Sequence, residues 1–154
     1  MNTGETAKTR GKQPLLNRAM SRLVRSRFSR LVDRNILLLT VFGRRTGQPY
    51  TFPVQYVQRG EVLWVFVGSS EEKTWWRNLV QEAPVQVLLR GRVRTGRSAA
   101  YTYDRRPDVV ADGLRRYVRR FPGTAKRLGM PPGDDEAFAH AAARSTVVRI
   151  HLES

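Results

Sequence analysis

The sequence has no cysteine, only two histidines and no long apolar run among its 154 residues. Without cysteine the chain has no disulfide, thiolate nucleophile or Cys-ligated zinc, and it needs no oxidising compartment. Neither His140 nor His151 lies among other ligands or beside a turn-borne serine, which argues against a metal site and a Ser-His-Asp triad. No segment has the length of a membrane span or the apolar core of a signal peptide. We therefore expect a cytoplasmic protein, at most peripheral to the inner face of the membrane.

Acidic residues are also scarce, since 13 Asp and Glu stand against 28 Lys and Arg, a net charge of +15. This charge indicates an anionic partner, such as a phosphate, an acidic coenzyme, nucleic acid or an anionic membrane surface, without choosing among them. The 24 arginines against 4 lysines are also what the codon usage of a GC-rich genome produces. We expect a flexible basic tail over residues 1–13 and a single domain over residues 14–154.

The apolar pattern predicts a mainly β protein of the α+β class, with about six antiparallel strands interrupted by helices. Strands are predicted over residues 36–42, 50–58, 61–67, 85–90, 92–103 and 145–152. Arg59-Gly60 is typical of a hairpin turn between the second and third strands. Because the helices do not alternate regularly with the strands, a small barrel is favoured over a parallel doubly wound sheet.

Helical spacing predicts a basic amphipathic helix over about residues 14–32. Ser69-Ser-Glu-Glu72 has the spacing of a capping box, so a short helix should begin there and carry the Trp75-Trp76 pair. Pro107 is placed at the first turn of a further helix, which Phe121-Pro-Gly should end. Asp134-Asp-Glu136 predicts the first turn of an Ala-rich helix, because carboxylates favour a helix N-terminus.

The segment Gly43-Arg-Arg-Thr-Gly47 follows an apolar strand directly. One interpretation is an ordinary hairpin loop whose arginines point into water. The other is an anion site, in which backbone N–H groups and two guanidinium groups hold a phosphate or carboxylate beside the sheet. The segment alone does not decide between them.

The second notable segment is Trp75-Trp-Arg-Asn-Leu79. Aromatic pairs on short helices usually pack into a core, and stacking on a ligand is the alternative. Asn78 is harder to explain as core because a buried amide must be hydrogen-bonded. We expect it to bond to neighbouring backbone and fix the helix to the barrel.

Taken together, these two segments resemble the deazaflavin-dependent nitroreductase family, which includes the quinone reductases that use reduced coenzyme F420. The resemblance is carried by Leu39 to Gly47, Thr51-Phe-Pro53, Gly68-Ser69, the Trp75 to Leu79 segment and Ala83-Pro-Val85. It implies a split β-barrel of the flavin-reductase and pyridoxamine-phosphate-oxidase type. It also implies hydride transfer from reduced F420 to a quinone, nitroaromatic or activated alkene, with the difficult chemistry supplied by the cofactor.

The resemblance further implies which residues bind the anionic deazaflavin coenzyme. They are Arg44, Arg45, Thr46, Pro53, Val54, Gln55, Gly68, Ser69, Ser70, Lys73, Trp75, Trp76 and Asn78. Arg44 to Thr46 would bind the acidic tail, residues 53–55 and 68–70 would border the ring system, and the Trp motif would form the pocket wall. No catalytic residue is assigned. Tyr101 and Tyr103 are candidates for a proton donor, although core packing explains both.

Several alternatives stay open. FMN, a non-redox ligand such as a tetrapyrrole or lipid, or no redox chemistry at all is compatible with the same barrel. A nucleic-acid-binding barrel would use the net charge, but the arginines at 115, 116, 119 and 120 form a plain solvated stripe without interleaved aromatics, which disfavours it. Residues 15–32 would either contact an anionic membrane or cap the barrel with their apolar stripe. A homodimer is expected for this barrel class.

Overall fold

The computed structural model describes residues 35–68, 70 and 72–154. The predicted tail over residues 1–13 and the predicted basic helix over residues 14–32 lie outside these residues, as do Ser69 and Glu71. The described residues form one seven-stranded sheet, three α-helices and a short 3₁₀ helix.

The strands follow the predicted pattern closely. They are β1 (Ile36–Phe42), β2 (Pro49–Gln55), β3 (Val57–Arg59), β4 (Val62–Val67), β5 (Ala83–Leu89), β6 (Arg92–Thr102) and β7 (Thr146–Leu152). Their order in the sheet is β2-β1-β5-β6-β7-β4-β3, and all six pairings are antiparallel. The β3–β4 hairpin turns at Gly60, whose φ of 59° is in the left-handed region that glycine adopts readily, as predicted.

The strand predicted over residues 50–58 is divided in two by Tyr56. This side chain is buried, and its backbone N–H donates to the carbonyl of Asn35 at 3.0 Å, in register with the β1–β2 pairing that ends at Gln55. β2 pairs with β1 and β3 pairs with β4, so one residue joins strands at opposite ends of the sheet order. Because consecutive strands occupy the two ends, the sheet must curl into a barrel. The predicted split-barrel fold is confirmed, with seven strands instead of about six.

The helices are the 3₁₀ helix (Trp75–Leu79), α1 (Pro107–Arg120), α2 (Pro122–Arg127) and α3 (Asp135–Ala143). α1 begins at Pro107 as predicted. Asp134 caps α3 by accepting the N–H of Ala137 at 2.9 Å, which confirms the predicted acidic start of this helix. Within the described ranges, no helix is long and apolar enough to cross a membrane.

One helix prediction is wrong in its starting point, and one short helix was not predicted. The short helix does not begin at the capping-box spacing of residues 69–72 but at Trp75, after Thr74, which makes no side-chain cap bond. The Trp76 indole N–H instead donates to the carbonyl of Ser70 at 2.9 Å, which stabilises a turn ahead of the helix. Phe121 does end α1, but Pro122 begins α2 immediately afterwards, because proline suits a first helical turn as well as it stops a preceding helix.

The core fills the barrel interior. Leu37, Leu39 and Val41 of β1 cluster with Val85 and Val87 of β5, and each of the five is at most 2% exposed. Burying one such side chain contributes about 1.5–3 kcal/mol, so this cluster dominates the stability of the barrel.

α1 packs on the outer face of the sheet, over β4 and β7. Val110 contacts the cluster of Trp64 and Val147. Gly113, on the same face, lies so close that a Cβ atom built on it would be 2.7 Å from Cγ1 of Val147. This close approach brings Tyr117, one turn further along α1, to the edge of the barrel, where a cavity opens.

Candidate functional site

The barrel is open between β2 and β4, and a cavity of about 620 Å³ lies there. We call it the central cavity. Residues 52–55 of β2 form one wall and residues 65–68 of β4 form the other. The rest of the lining comes from Lys73, Trp75, Tyr117, the α2 residues Thr124 and Arg127, and Leu128. Aromatic and aliphatic walls with a few polar groups are what a flat organic ligand requires.

A second cavity of about 530 Å³, the loop cavity, adjoins the first. It lies beside the Gly43-Arg-Arg-Thr-Gly47 loop and is also lined by Tyr50, Thr74 and Asn78. Phe52 and Trp75 line both cavities, and their rings pack with centroids 4.8 Å apart at 53°. The aromatic pair is therefore the shared wall between the apolar space and the arginine loop.

The loop that carries Arg44 and Arg45 is held by its own backbone. The N–H of Gly43 donates to Gln48 O at 2.8 Å, and the N–H of Gly47 donates to Gly43 O at 2.7 Å. The hydroxyl of Thr46 accepts the N–H of Gln48 at 3.2 Å. The N–H groups of Gly43, Gly47 and Gln48 are thus already used, and the guanidinium groups are the charged donors that the loop offers to an anion.

Both guanidinium groups are available to a ligand. Arg44 and Arg45 are exposed, and neither forms an ion pair with any carboxylate among the described residues. Arg44 Nη1 makes one long contact, 3.5 Å, to the carbonyl of Arg77. The pair supplies uncompensated positive charge at the mouth of the loop cavity.

Asn78 connects this loop to the 3₁₀ helix. Its Oδ1 accepts the backbone N–H of Arg44 at 3.1 Å, and its Nδ2 donates to the carbonyl of Trp75 at 3.1 Å. The expectation that Asn78 bonds to backbone and fixes the helix is confirmed. Its amide sets the position of the arginine loop relative to the indole that forms the cavity wall.

The two tryptophans differ in role. Trp75 lines both cavities, whereas Trp76 packs against the barrel core, donates to Ser70 O and lies 5.7 Å from the Arg77 guanidinium. Trp76 is not among the lining residues of the cavities in the described part of the chain. It supports the site from behind by fixing the turn that precedes the 3₁₀ helix.

Tyr117 places a phenol on the central cavity. Its hydroxyl donates to Oε1 of Gln55, and the side chain is only 5% exposed. Burial raises the pKa of Tyr117 above its usual value, and the positive charge of Arg127 partly opposes this shift. The hydroxyl therefore stays protonated at neutral pH and can donate a hydrogen bond, either to Gln55 or to an acceptor oxygen in the cavity.

A third cavity of about 440 Å³, the helix cavity, continues from the central one towards α2 and α3. It is also lined by Ser70, Glu72 and Arg144, and it shares five lining residues with the central cavity, namely Phe66, Val67, Gly68, Arg127 and Leu128. The three cavities form one groove, with the arginine loop at one end and the helices at the other.

The structure brings most of the predicted site residues into this groove. Pro53, Val54, Gln55, Gly68 and Lys73 line the central cavity, Arg44, Arg45, Thr46 and Asn78 line the loop cavity, Trp75 lines both, and Ser70 lines the helix cavity. Ser69 lies outside the described residues. Trp76 lies behind the wall.

Sequence reasoning missed Phe52, Tyr117 and Arg127. Phe52 could have been predicted, since it lies two residues before Val54 on β2 and therefore on the same face of the strand. Tyr117 fitted the apolar stripe of α1, so nothing in the sequence distinguished it from core. The proposed donors lie elsewhere, because Tyr101 accepts from Arg149 at 3.1 Å and Tyr103 packs near Leu114, which favours the core interpretation for both.

A family model described as F420H(2)-dependent quinone reductase matches residues 16–127 of the sequence. This range includes the arginine loop, the 3₁₀ helix, all of α1 and the whole of α2. A search of curated protein sequences finds no significant match.

Similar solved structures support the fold. An F420-H2 dependent reductase, FDR-A, is 18% identical with a TM-score of 0.54, over 79% of this chain and 96% of that one. A putative pyridoxamine 5'-phosphate oxidase from Listeria innocua is 13% identical with a TM-score of 0.50, over 91% and 94%. Atu2129 from Agrobacterium tumefaciens, of unknown function, is 20% identical with a TM-score of 0.52 over 80% of this chain. The present chain spans about half of that protein, 51%. At these identities the similarity concerns the fold.

Proposed function

The chain belongs to the F420H(2)-dependent quinone reductase family and is therefore an oxidoreductase that uses coenzyme F420; we propose that it reduces a quinone held in the central cavity. The resemblance read from the sequence is confirmed, as are its fold and cofactor. The FMN, non-redox and nucleic-acid alternatives are not favoured by the family.

One observation carries the assignment of the site. An apolar cavity and a loop with two arginines that have no carboxylate partner among the described residues share a single aromatic wall, Phe52 and Trp75. A coenzyme with a flat ring and an acidic tail needs these two environments side by side. The described residues therefore fit the coenzyme.

The proposed roles follow from position in the groove. Arg44, Arg45 and Thr46 bind the acidic tail. Pro53, Val54, Gln55, Gly68 and Trp75 border the ring system, with Lys73 beside them. Ser70 lines the adjoining helix cavity, and the role proposed for Ser69 rests on the resemblance alone. Asn78 and Trp76 hold the 3₁₀ helix in place and act through the residues they position.

When bound, reduced F420 supplies a hydride, so that two electrons and one proton pass to the quinone and a second proton completes the hydroquinone. Tyr117 is placed to donate a hydrogen bond to the quinone oxygen, because its protonated hydroxyl lies on the central cavity. Gln55 orients that hydroxyl by accepting from it in the absence of substrate. The apolar walls of β2 and β4 keep water away from the reacting groups.

The acceptor is proposed as a small hydrophobic molecule, with quinones first and nitroaromatics or activated alkenes as alternatives. The walls that meet it are Val65, Phe66 and Val67, which offer shape and burial but no fixed polar pattern. Steady-state turnover measured with quinones, nitroaromatics and activated alkenes ranks these three classes as acceptors.

Further proposals concern partners. A homodimer is expected for the barrel class and is tested by light scattering on the eluting peak of a size-exclusion column. Contact with an anionic membrane through residues 15–32 rests on the basic and apolar pattern of that segment. Loss of co-sedimentation with anionic vesicles after deletion of residues 1–34 tests it.

The decisive experiment is equilibrium binding of F420 and of FMN to the wild type and to an Arg44→Gln, Arg45→Gln double variant. The matched control is Arg92→Gln with Arg119→Gln, which removes the same charge from exposed positions outside the groove. Charge-assisted hydrogen bonds contribute about 1.5–3 kcal/mol, so the F420 dissociation constant should rise at least about tenfold in the loop variant. An equal rise in the control would show that only the net charge matters. Failure of the wild type to bind F420 would refute the proposal.

A further inference from the structure

The arginine loop is one of two positively charged regions of the groove. At the other end, the helix cavity is lined by Arg127 and Arg144. Arg127 also lines the central cavity, so its guanidinium group borders both spaces. We propose that Arg127 and Arg144 bind an anionic group, a carboxylate or its equivalent, carried by the electron acceptor. This inference rests on the proposed function and specifies its substrate class.

Among the described residues the two arginines have no acidic partner, in contrast to the four arginines outside the groove that are ion-paired. Arg94, Arg97, Arg106 and Arg116 each form an ion pair with a carboxylate. Neither Arg127 nor Arg144 does so among the residues that the structure describes. Their charge is therefore free to act on a ligand.

Arg127 is oriented by a neighbouring side chain. Its Nη2 donates to Oγ1 of Thr124 at 3.2 Å, and Thr124 itself is buried at 3% exposure. The guanidinium group is also near enough to Tyr117 for its charge to act on that hydroxyl. An anion bound by Arg127 would thus lie beside the group placed to hydrogen-bond the quinone oxygen.

The local charge favours an anion despite one opposing group. Glu72 is the carboxylate that lines the helix cavity among the described residues, and it is exposed. Against it stand Arg127 and Arg144, with Lys73 on the adjoining central cavity. The balance at this end is positive.

The location assigns the anion to the acceptor and not to the coenzyme. The helix cavity and the loop cavity have no lining residue in common, and the central cavity lies between them. A coenzyme whose tail is at Arg44 and Arg45 leaves the far end of the groove to the second substrate. Arg144 also lies beyond residue 127, where the family match ends, so the match assigns it no role.

The test compares a naphthoquinone that carries a sulfonate with its uncharged methyl-substituted parent. We expect the wild type to bind the sulfonated compound more tightly than the uncharged one. In an Arg127→Gln, Arg144→Gln variant the ratio of the two dissociation constants should shift about tenfold against the sulfonated compound, equivalent to about 1.4 kcal/mol. Equilibrium dialysis gives the preference as a ratio of dissociation constants, without turnover. The ratio of the kcat/KM values gives it with reduced coenzyme. Arg119→Gln, exposed on α1 away from the groove, is the control and should retain the preference.

The outcomes separate the two proposals. An unchanged preference in the double variant overturns this inference alone, provided that F420 binds and the uncharged quinone is reduced. A rise in the F420 dissociation constant with no change in acceptor preference would assign the site to the coenzyme tail and also overturn it. Absence of F420 binding to the wild type refutes the proposed function, while the dialysis ratio still tests the anion site. Circular dichroism confirms that the variants are folded.

Discussion

Replacing Gly113 by alanine tests how α1 is seated on the sheet. The added Cβ would lie 2.7 Å from Cγ1 and 3.0 Å from Cγ2 of Val147, and 3.1 Å from Cε3 of Trp64. Val147 is 1% exposed and Trp64 is 6% exposed, so neither has space to retreat. Overpacking of this kind costs about 1–3 kcal/mol, and the better helix propensity of alanine returns up to about 1 kcal/mol. We expect a net loss of about 1–2 kcal/mol in the free energy of unfolding.

The control is the same substitution at Gly123 in α2. A Cβ there meets nothing within 4 Å, so Gly123→Ala should be neutral or should stabilise by up to about 1 kcal/mol. Urea denaturation followed by circular dichroism measures both variants. The two substitutions should differ in sign. If Gly113→Ala were as stable as Gly123→Ala, the close packing of α1 on β7 would be wrong. The same shift should also lower kcat/KM, since Tyr117 is one turn along α1.

Two further predictions concern the groove. Asn78→Ala removes the acceptor of the Arg44 N–H. Since one hydrogen bond is worth about 0.5–1.5 kcal/mol, F420 affinity should fall about threefold to tenfold. An affinity within error of the wild type would contradict the bridging role of Asn78. Tyr117→Phe tests the raised pKa of Tyr117. As pH rises past the ordinary tyrosine value of 10.0, this tyrosine ionises in the unfolded chain before it ionises in the folded protein. The stability that the protonated tyrosine contributes is then lost. Above pH 10, the free energy of unfolding of the wild type, measured by urea titration, should therefore fall more steeply with pH than that of the Phe variant. Parallel curves would refute the raised pKa of Tyr117.

Local signals predicted most of the fold. Pro107 and Asp134 gave the starts of two helices because proline and a capping carboxylate act within a single turn. The break at Tyr56 was not predictable, since its cause is pairing with strands at opposite ends of the sheet. The capping-box spacing at residues 69–72 did not mark the helix start either. The Trp76 indole instead bonds the carbonyl of Ser70, ahead of the helix.

For the candidate site, too, the residues with local sequence signals were predicted and those placed by packing were not. Residues of the arginine loop and the Trp motif were predicted because they stand in short segments of unusual composition. Tyr117 was not, because it fits the apolar stripe of α1, and Arg127 was not, because it lies in α2, a short helix that no pattern in the sequence predicted. Only the packing of α1 and α2 against the sheet shows that these two side chains reach the cavity.

The position of β7 has a consequence for how the protein acquires activity. β7 is inserted between β6 and β4, although β4 is made much earlier in the chain. Contacts between distant segments form slowly because the intervening chain must first lose entropy. Until β7 adds to the sheet, the short β3 is the single strand that β4 pairs with among the described residues. The wall that β4 gives to the central cavity is therefore a late product of folding, and the ability to bind coenzyme should appear together with the final step of refolding and not before it.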